Sequence, residues 1–441
     1  MSIEQEILDR IKPDNSYRTL VDETVFQVME AVRREIEGSG LEIEVLLVGS
    51  VAKDTYIPAP DIDIFMMFPE TTPRKELERR GLELGRKVLG GEERYAEHPY
   101  IRGLVNGLGV DLVPCYAIAD TSRMRSAVDR TPFHTEFVKS HLSEGQKDQV
   151  RLLKRFMKGI GVYGAEARVE GLSGYLTELL VLRYGDFRSV LEAATQWSYA
   201  TTLYLEQRGE TDFDSPLVFY DPVDLDRNVA SALSTDCFAL FIQASREYLE
   251  REREEFFFPR TREPLSMPEI RRMMEERGTS PVIVRMARPG LTDDNLFPQV
   301  KKTLEGILSL LRGGDFEVLD STWYVDDDTA FALELKAHRL PVAMMHAGPP
   351  VWIEHSERFL EKWRTGGLSR PFIRNGRWMV MARREHPDAK ELLSSDLDQS
   401  SLGSGFRKME GLSVQEGIEV FTESNRRALS ALLDKRKNWE V

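Results

Sequence analysis

The chain has 441 residues, 41% of them hydrophobic, and a net charge of -14. That length exceeds what one hydrophobic core serves and predicts roughly two to four domains, while the acidic balance argues against non-specific adhesion to nucleic acid or anionic membrane. Two cysteines, Cys115 and Cys237, build neither a disulfide framework nor a zinc ribbon. With no signal-like N-terminus and no run near about 18 apolar residues, a cytoplasmic protein that does not engage a membrane is expected.

Leu20, Val21, Val25, Val28, Met29 and Val32 recur at helical spacing and predict a helix over 17–37, stopped at Gly38-Ser39-Gly40. Strand-like runs follow in LEIEVLLVG, DIDIFMMF, RYAEHPYIRGLV and GVDLVPCYAI, with a helix through PRKELERRGLELGRKVL between the second and third. Residues 1–134 therefore read as an α+β unit on a mixed or antiparallel sheet. From 135 to 255 the pattern is mainly helical, through QKDQVRLLKRFMKGIG, SGYLTELLVLRYG, FRSVLEAATQWSY and STDCFALFIQASREYLERERE. FFFPRTREPLSMP reads as a connection. Beyond it SPVIVRMARP, a helix through FPQVKKTLEGILSLLRGG, FEVLDSTWYVD and TAFALELKAH predict a β-α-β-β sandwich. Residues 256–441 are thus a third region, α+β and RRM-like or ferredoxin-like, with SVQEGIEVFTESNRRALSALLDKRK as its final helix.

The chemistry concentrates in VGSVAKDTYIPAPDIDIF, residues 48–65. Side chains alternate across a strand, so Asp61 and Asp63 share one face while Ile62 and Ile64 share the other. Two carboxylates held side by side call for a cation. Gly49 allows a sharp turn, Ser50 offers a hydroxyl at the start of a short helix, and Lys53 lies one helical turn on, an arrangement suited to a phosphate. A triphosphate there would lie beside the Asp pair, with Mg2+ bridging the two. Asp111, in GVDLVPCY, is a third strand carboxylate, and three on adjoining strands suit the two-metal, in-line arrangement. Taken singly, Gly-Ser is also a common turn, D-x-D also a solvated strand edge and Asp111 also a satisfied polar residue. Their ordered combination carries the reading.

That ordered set resembles the nucleotidyltransferase fold of the DNA polymerase β superfamily. The wider set RYAEHPYIRG, VDLVPCY, SAVDRTPFHTEF, VRLLKRFMKGIGVYGAE, GLSGYLTELL, DPVDLDRNVA and RPFIRNGRW resembles the archaeal, class I CCA-adding enzymes over nearly the whole chain. The resemblance implies a polymerase β-like nucleotidyltransferase head, and template-independent addition of C, C and A to the 3′ end of tRNA from CTP and ATP. It implies Asp61, Asp63 and Asp111 as metal-binding catalytic carboxylates, and Gly49, Ser50 and Lys53 at the triphosphate. It also implies nucleotide contacts for His134, Lys154 and Tyr163, and a part in reading the incoming base for Arg227. Family members often have Glu where this chain has Asp61 and Arg where it has Lys53, which changes reach and forked bonding but keeps the charge. From the residues alone His134 could cap a helix, Lys154 could be one solvated base among several, Tyr163 could be core, and Arg227 could pair with Asp221, Asp224 or Asp226.

From Lys362 to Arg384 there are seven basic residues and no acidic one. Arg364, Arg370, Arg374 and Arg377 are the candidate RNA contacts, with Trp363, Phe372 and Trp378 interleaved. A sheet with basic edges would look the same; the resemblance favours the tRNA acceptor arm, and a homodimer is left open. No run has RNP1 character, so shape recognition fits better than sequence-specific single-strand binding. Rival readings are a poly(A) polymerase, an oligoadenylate synthetase, a small-molecule nucleotidyltransferase and a non-catalytic RNA-binding protein.

Overall fold

The computed structural model describes residues 2–39, 42–95, 99–354 and 356–440, so Gly40, where the first helix was expected to stop, and residues 96–98 of the third expected strand lie outside the described residues. The chain folds as two compact units, one of residues 1–261 with 436–441 and the other of residues 262–435.

The first unit opens with α1 (Ile3–Ile11) and α2 (Asn15–Ser39), whose Val21, Val28, Val32 and Ile36 form one buried stripe. Then come β1 (Glu44–Val48), the single turn α3 (Gly49–Ala52), β2 (Asp61–Pro69), α4 (Arg74–Leu89), β3 (Glu92–Tyr95), β4 (Pro99–Val105) and β5 (Leu108–Ala117). The five strands make a mixed sheet of order β1-β2-β5-β4-β3. Its centre is the parallel pair β2 and β5, in which Asp63 stands opposite Asp111 and Asp61 opposite Gly109. Ile62, Ile64, Val110 and Leu112 face the other way and are wholly buried against the α2 stripe. The alternation that buries these four is what brings the carboxylates out on one face.

Helices α5 (Thr131–His141), α6 (Glu144–Ile160), α7 (Gly174–Tyr184), α8 (Phe187–Ala194) and α9 (Thr235–Glu250) follow. A small sheet of β6 (Thr201–Leu203), β7 (Leu217–Asp221) and β8 (Asp224–Asn228) lies between α8 and α9 in the chain, in a stretch read as helical from the sequence. Runs of three to five residues are too short to show a period of two, and DPVD reads only as a turn. Phe156, Phe187, Phe241, Tyr248, Phe256 and Phe257 fill the core here. Residues 436–440 return to this core: Trp439 is fully buried, stacks on Phe256 at 5.2 Å and donates from Nε1 to Glu247 at 2.6 Å.

The second unit comprises α10 (Met267–Arg277), β9 (Ser280–Ala287), α11 (Asp293–Gly313), β10 (Val318–Val325), β11 (Asp328–Leu335), β12 (Ala343–Pro350), α12 (Ser356–Gly366), β13 (Phe372–Arg374), β14 (Arg377–Arg383), α13 (Ala389–Asp396), β15 (Ser413–Glu416) and α14 (Arg426–Leu433). The expected β-α-β-β arrangement is present as β9-α11-β10-β11, within a sheet of order β10-β11-β9-β15. Val282, Val284, Phe331 and Leu333 face α11 and α13, while Ile283, Ala330 and Ala332 face α10 and α14. Burial on both faces explains the unbroken apolar runs. The long final helix expected from residue 413 is not formed. Val414 pairs with Val284 in β15, Gly417 takes a positive φ of 57° that ends any regular run, and only Arg426–Leu433 is α-helical. A second sheet, β12-β14-β13, packs one face on α12, where His346 meets Phe359 and Trp363.

Candidate active site

The site begins where β1 ends. Val48 is extended, Gly49 turns with φ 72°, and α3 follows. A Cβ at Gly49 would fall 2.2 Å from Asp63 Oδ2, so a side chain is excluded by contact as well as by backbone conformation. The turn is thereby pressed against the carboxylate. Asp63 is raised to about 7 by burial, with Asp111 and Asp61 adding repulsion, and Asp111 is raised to about 6 by burial against the counter-charge of Arg102. Asp61 stands at the rim, with a side chain 55% exposed.

The cation demanded by this crowding is supplied in part by Arg102, which sequence reasoning missed. It lies on β4 opposite Asp111; Nη1 donates to Asp111 Oδ2 at 3.2 Å and Nη2 donates to Asp61 Oδ1. One guanidinium thus bridges two carboxylates. Among the described residues no three His, Cys, Asp or Glu side chains stand ready-made to hold a metal ion, and Arg102 engages one oxygen each of Asp61 and Asp111. The donor set still fits a hard divalent cation. All its ligands are oxygen, Asp111 Oδ1 is buried with no hydrogen-bond partner among the described residues, and burial with the charges of Asp111 and Asp61 raises Asp63 against the opposite pull of Lys53 and Arg102.

The floor of the cleft is set by Glu178 on α7, a second residue not anticipated. Lys53, the residue expected at a phosphate, lines the cleft; its Nζ donates to Glu178 Oε2 at 2.5 Å, while Thr55 Oγ1 donates to Oε1 at 2.6 Å. Lys154 Nζ lies 3.5 Å from Oε1 and donates to the carbonyl and hydroxyl of Thr55, both at 3.1 Å. Burial pushes Lys154 down to about 8. Burial also disfavours the charged form of Glu178, yet the two ammonium groups hold it below the usual range. Two cations share one anion, which leaves net positive charge under the cleft.

The far wall is organised by Asp221, wholly buried at the end of β7. It accepts from Tyr175 Oη at 3.1 Å, from Arg227 Nη1 at 2.8 Å and from the Val223 backbone N–H at 3.2 Å, and His134 Nε2 lies at 2.8 Å. Burial opposes its charge, but these partners hold it ionised below the usual range. Burial lowers His134 against the opposing pull of Asp221, toward whose carboxylate its Nε2 points, and the ring stacks on Tyr175 at 3.8 Å. The ion pair offered for Arg227 as the plain alternative is therefore formed, and it links Arg227 to His134 through one carboxylate.

These walls enclose a cleft of about 400 Å3. Gly49, Ser50, Lys53, Asp61, Asp63, His134, Lys154 and Tyr163 all line it, together with Lys158, Tyr175 and Glu178. Burial raises the Tyr163 phenol, and Lys158 lies 5.2 Å over its ring. Asp111 adjoins through Asp63, and Arg227 through Asp221.

The candidate RNA contacts belong to the second unit. Arg374 and Arg377 face each other across the β13–β14 turn, both exposed, and Arg374 lies 5.3 Å over Phe372. Arg364 is on α12 and Arg370 just ahead of β13; among the described residues none of the four has an ion pair. Arg384, by contrast, is held by Asp315 at 2.8 Å, and Trp363 is used in packing on His346. Trp352, 78% exposed beside the Gly376 turn, is an aromatic outside the basic stretch read from sequence.

Three family models match the chain in order: a nucleotidyltransferase domain over residues 27–134, the second domain of tRNA nucleotidyltransferase over 148–258, and the C-terminal domain of the CCA-adding enzyme over 277–421. The chain is 40% identical to a CCA-adding enzyme of Methanosarcina barkeri over 427 residues, covering 94% of this chain and 92% of that one. It is 41% identical to one of Methanothermobacter thermautotrophicus over 428 residues, with 94% and 92% covered, and 38% identical to one of Haloarcula marismortui over 440 residues, with 96% and 94% covered. A chain that pairs this carboxylate-bearing sheet with such similarity along nearly its whole length belongs to the CCA-adding enzyme family.

Proposed function

We propose that the protein builds and repairs the 3′-terminal CCA of tRNA, transferring CMP, CMP and AMP in turn from CTP and ATP without a template and releasing pyrophosphate. The observation that carries the reading is the register of β2 and β5, which places Asp63 beside Asp111 above a cleft with a cationic floor, in a chain of this family. Asp61, Asp63 and Asp111 would hold Mg2+. When bound, that ion lowers the cost of forming the attacking alkoxide and of releasing pyrophosphate.

The remaining work falls to side chains already in place. Lys53 and Lys154 share Glu178, so the surplus positive charge of the floor favours the triphosphate, with Ser50 and the Gly49 turn beside it. Fixing His134, Tyr175 and Arg227 on one buried carboxylate gives the nucleotide a rigid wall. We assign Arg227 to the base on this ground, and His134, Lys154 and Tyr163 to the rest of the nucleotide. The acceptor arm of tRNA is assigned to the basic surface of Arg364, Arg370, Arg374 and Arg377. Among the described residues no helix is long and apolar enough to cross a membrane, and the reading includes a cytoplasmic location.

The test is a tRNA transcript lacking its CCA, given CTP, ATP and both. The expected result is addition of two C with CTP alone, one A only after both C, and then arrest. Continued addition of A to an arbitrary RNA would instead identify a poly(A) polymerase.

A further inference from the structure

Among the described residues Arg102 is the one strong cation bonded directly to the carboxylates, and the proposed mechanism does not use it. Its two terminal nitrogens are spent on two different carboxylates, Asp61 and Asp111, which are the ligands assigned to the metal. The guanidinium takes Asp61 Oδ1 and Asp111 Oδ2, while Asp111 Oδ1 has no hydrogen-bond partner among the described residues, so a divalent cation entering there meets the charge of Arg102 and competes with it for the two oxygens it holds. The surroundings make room for the pair: Gly109 stands opposite Asp61 in the sheet, and a Cβ there would lie 2.9 Å from Asp61 Oδ1 and 3.1 Å from Arg102 Nη2. No positive φ explains that glycine. The clamp is also able to open, because the Arg102 side chain is 36% exposed and sits at the rim with Asp61.

We infer that Arg102 is a built-in competitor of the metal ion, pairing Asp61 with Asp111 in the metal-free enzyme and opposing entry of the ion by its charge and by the two carboxylate oxygens it holds. The inference rests on the assignment of these carboxylates as metal ligands. Its chemical consequence is that metal alone binds weakly, since it enters against a guanidinium charge that already neutralises these carboxylates. Metal arriving with a triphosphate brings an anion that offsets the guanidinium charge, so loading is coupled to nucleotide. Arg102 is thus a positioning residue that acts through the carboxylates.

The experiment measures Mn2+ binding to the full-length protein without nucleotide, by loss of the free-ion paramagnetic resonance signal, with a melting curve in chelator for each variant. Arg102→Gln should bind Mn2+ about tenfold more tightly than wild type, the factor a bond of this class contributes. Gly109→Ala, which keeps the arginine but crowds the clamp, should shift affinity the same way, and Arg102→Lys, which keeps the charge but not the fork, should lie between. Adding Asp111→Asn to Arg102→Gln should abolish the gain. Unchanged or weaker Mn2+ binding in folded Arg102→Gln and Gly109→Ala would overturn the inference while leaving the metal assignment standing. A gain that survives Asp111→Asn, or no Mn2+ binding by any form, would overturn both.

Discussion

Asp63 is the residue on which the proposed chemistry turns, because it is buried, in register with Asp111 and pressed by the Gly49 turn. Asp63→Asn should reduce nucleotide addition by more than about 100-fold, which corresponds to about 2.7 kcal/mol of barrier, while leaving tRNA binding near wild type; activity within tenfold would refute the assignment. The same carboxyl makes a prediction about stability. Burial, then Asp111 and Asp61, raise it from 3.8 to about 7. Between those values the folded state holds a proton that the unfolded state releases, so the contribution is favourable at low pH and is lost as pH rises through about 7. In chelator at pH 8, Asp63→Asn should therefore melt a few degrees above wild type, and the gap should close toward pH 5.

The β13–β14 hairpin is the element that separates an RNA surface from a decorated sheet edge. Its Arg374 and Arg377 are exposed and without ion pairs among the described residues, whereas Arg384 at the far end of the same stretch is spent on Asp315. The double change Arg374→Glu/Arg377→Glu should weaken tRNA binding and lower the salt slope by about one for each phosphate that the arginines no longer neutralise. Affinity for CTP and ATP should hold, since the cleft is built wholly from the first unit. An unchanged salt slope in a protein that melts like wild type would show that the hairpin does not touch RNA.

For the whole molecule the course of the chain matters as much as its folds, since it leaves the first unit at residue 261 and rejoins it at 436. Trp439 anchors that return, fully buried on Phe256 and bonded to Glu247, with Lys437 on the same glutamate and Asn438 Nδ2 donating to the Gly159 carbonyl at 3.3 Å. Gly159 lies near the end of α6, the helix that also carries Lys154 and Lys158. Trp439→Ala should cost about 3–5 kcal/mol, the usual loss for a buried large aromatic. Unfolding in denaturant followed by circular dichroism checks this, and a midpoint equal to wild type would show that the segment adds nothing to the first unit.

What the sequence by itself determined was whatever depends on near neighbours in the chain. Strand alternation put Asp61 and Asp63 on one face, glycine before serine marked a sharp turn, and the apolar runs of β9 and β11 announced strands. Tertiary structure alone decided which charges meet. Arg102 reaches Asp61 because β4 and β5 pair in one register, Glu178 collects two lysines from distant segments although SGYLTELL reads as core, and Asp221 gathers His134, Tyr175 and Arg227 from three elements. The stretch from residue 413 shows the same limit. Its helical rhythm was overruled by an open edge on β9, because a strand that completes a sheet gains backbone hydrogen bonds and burial that local propensity does not foresee.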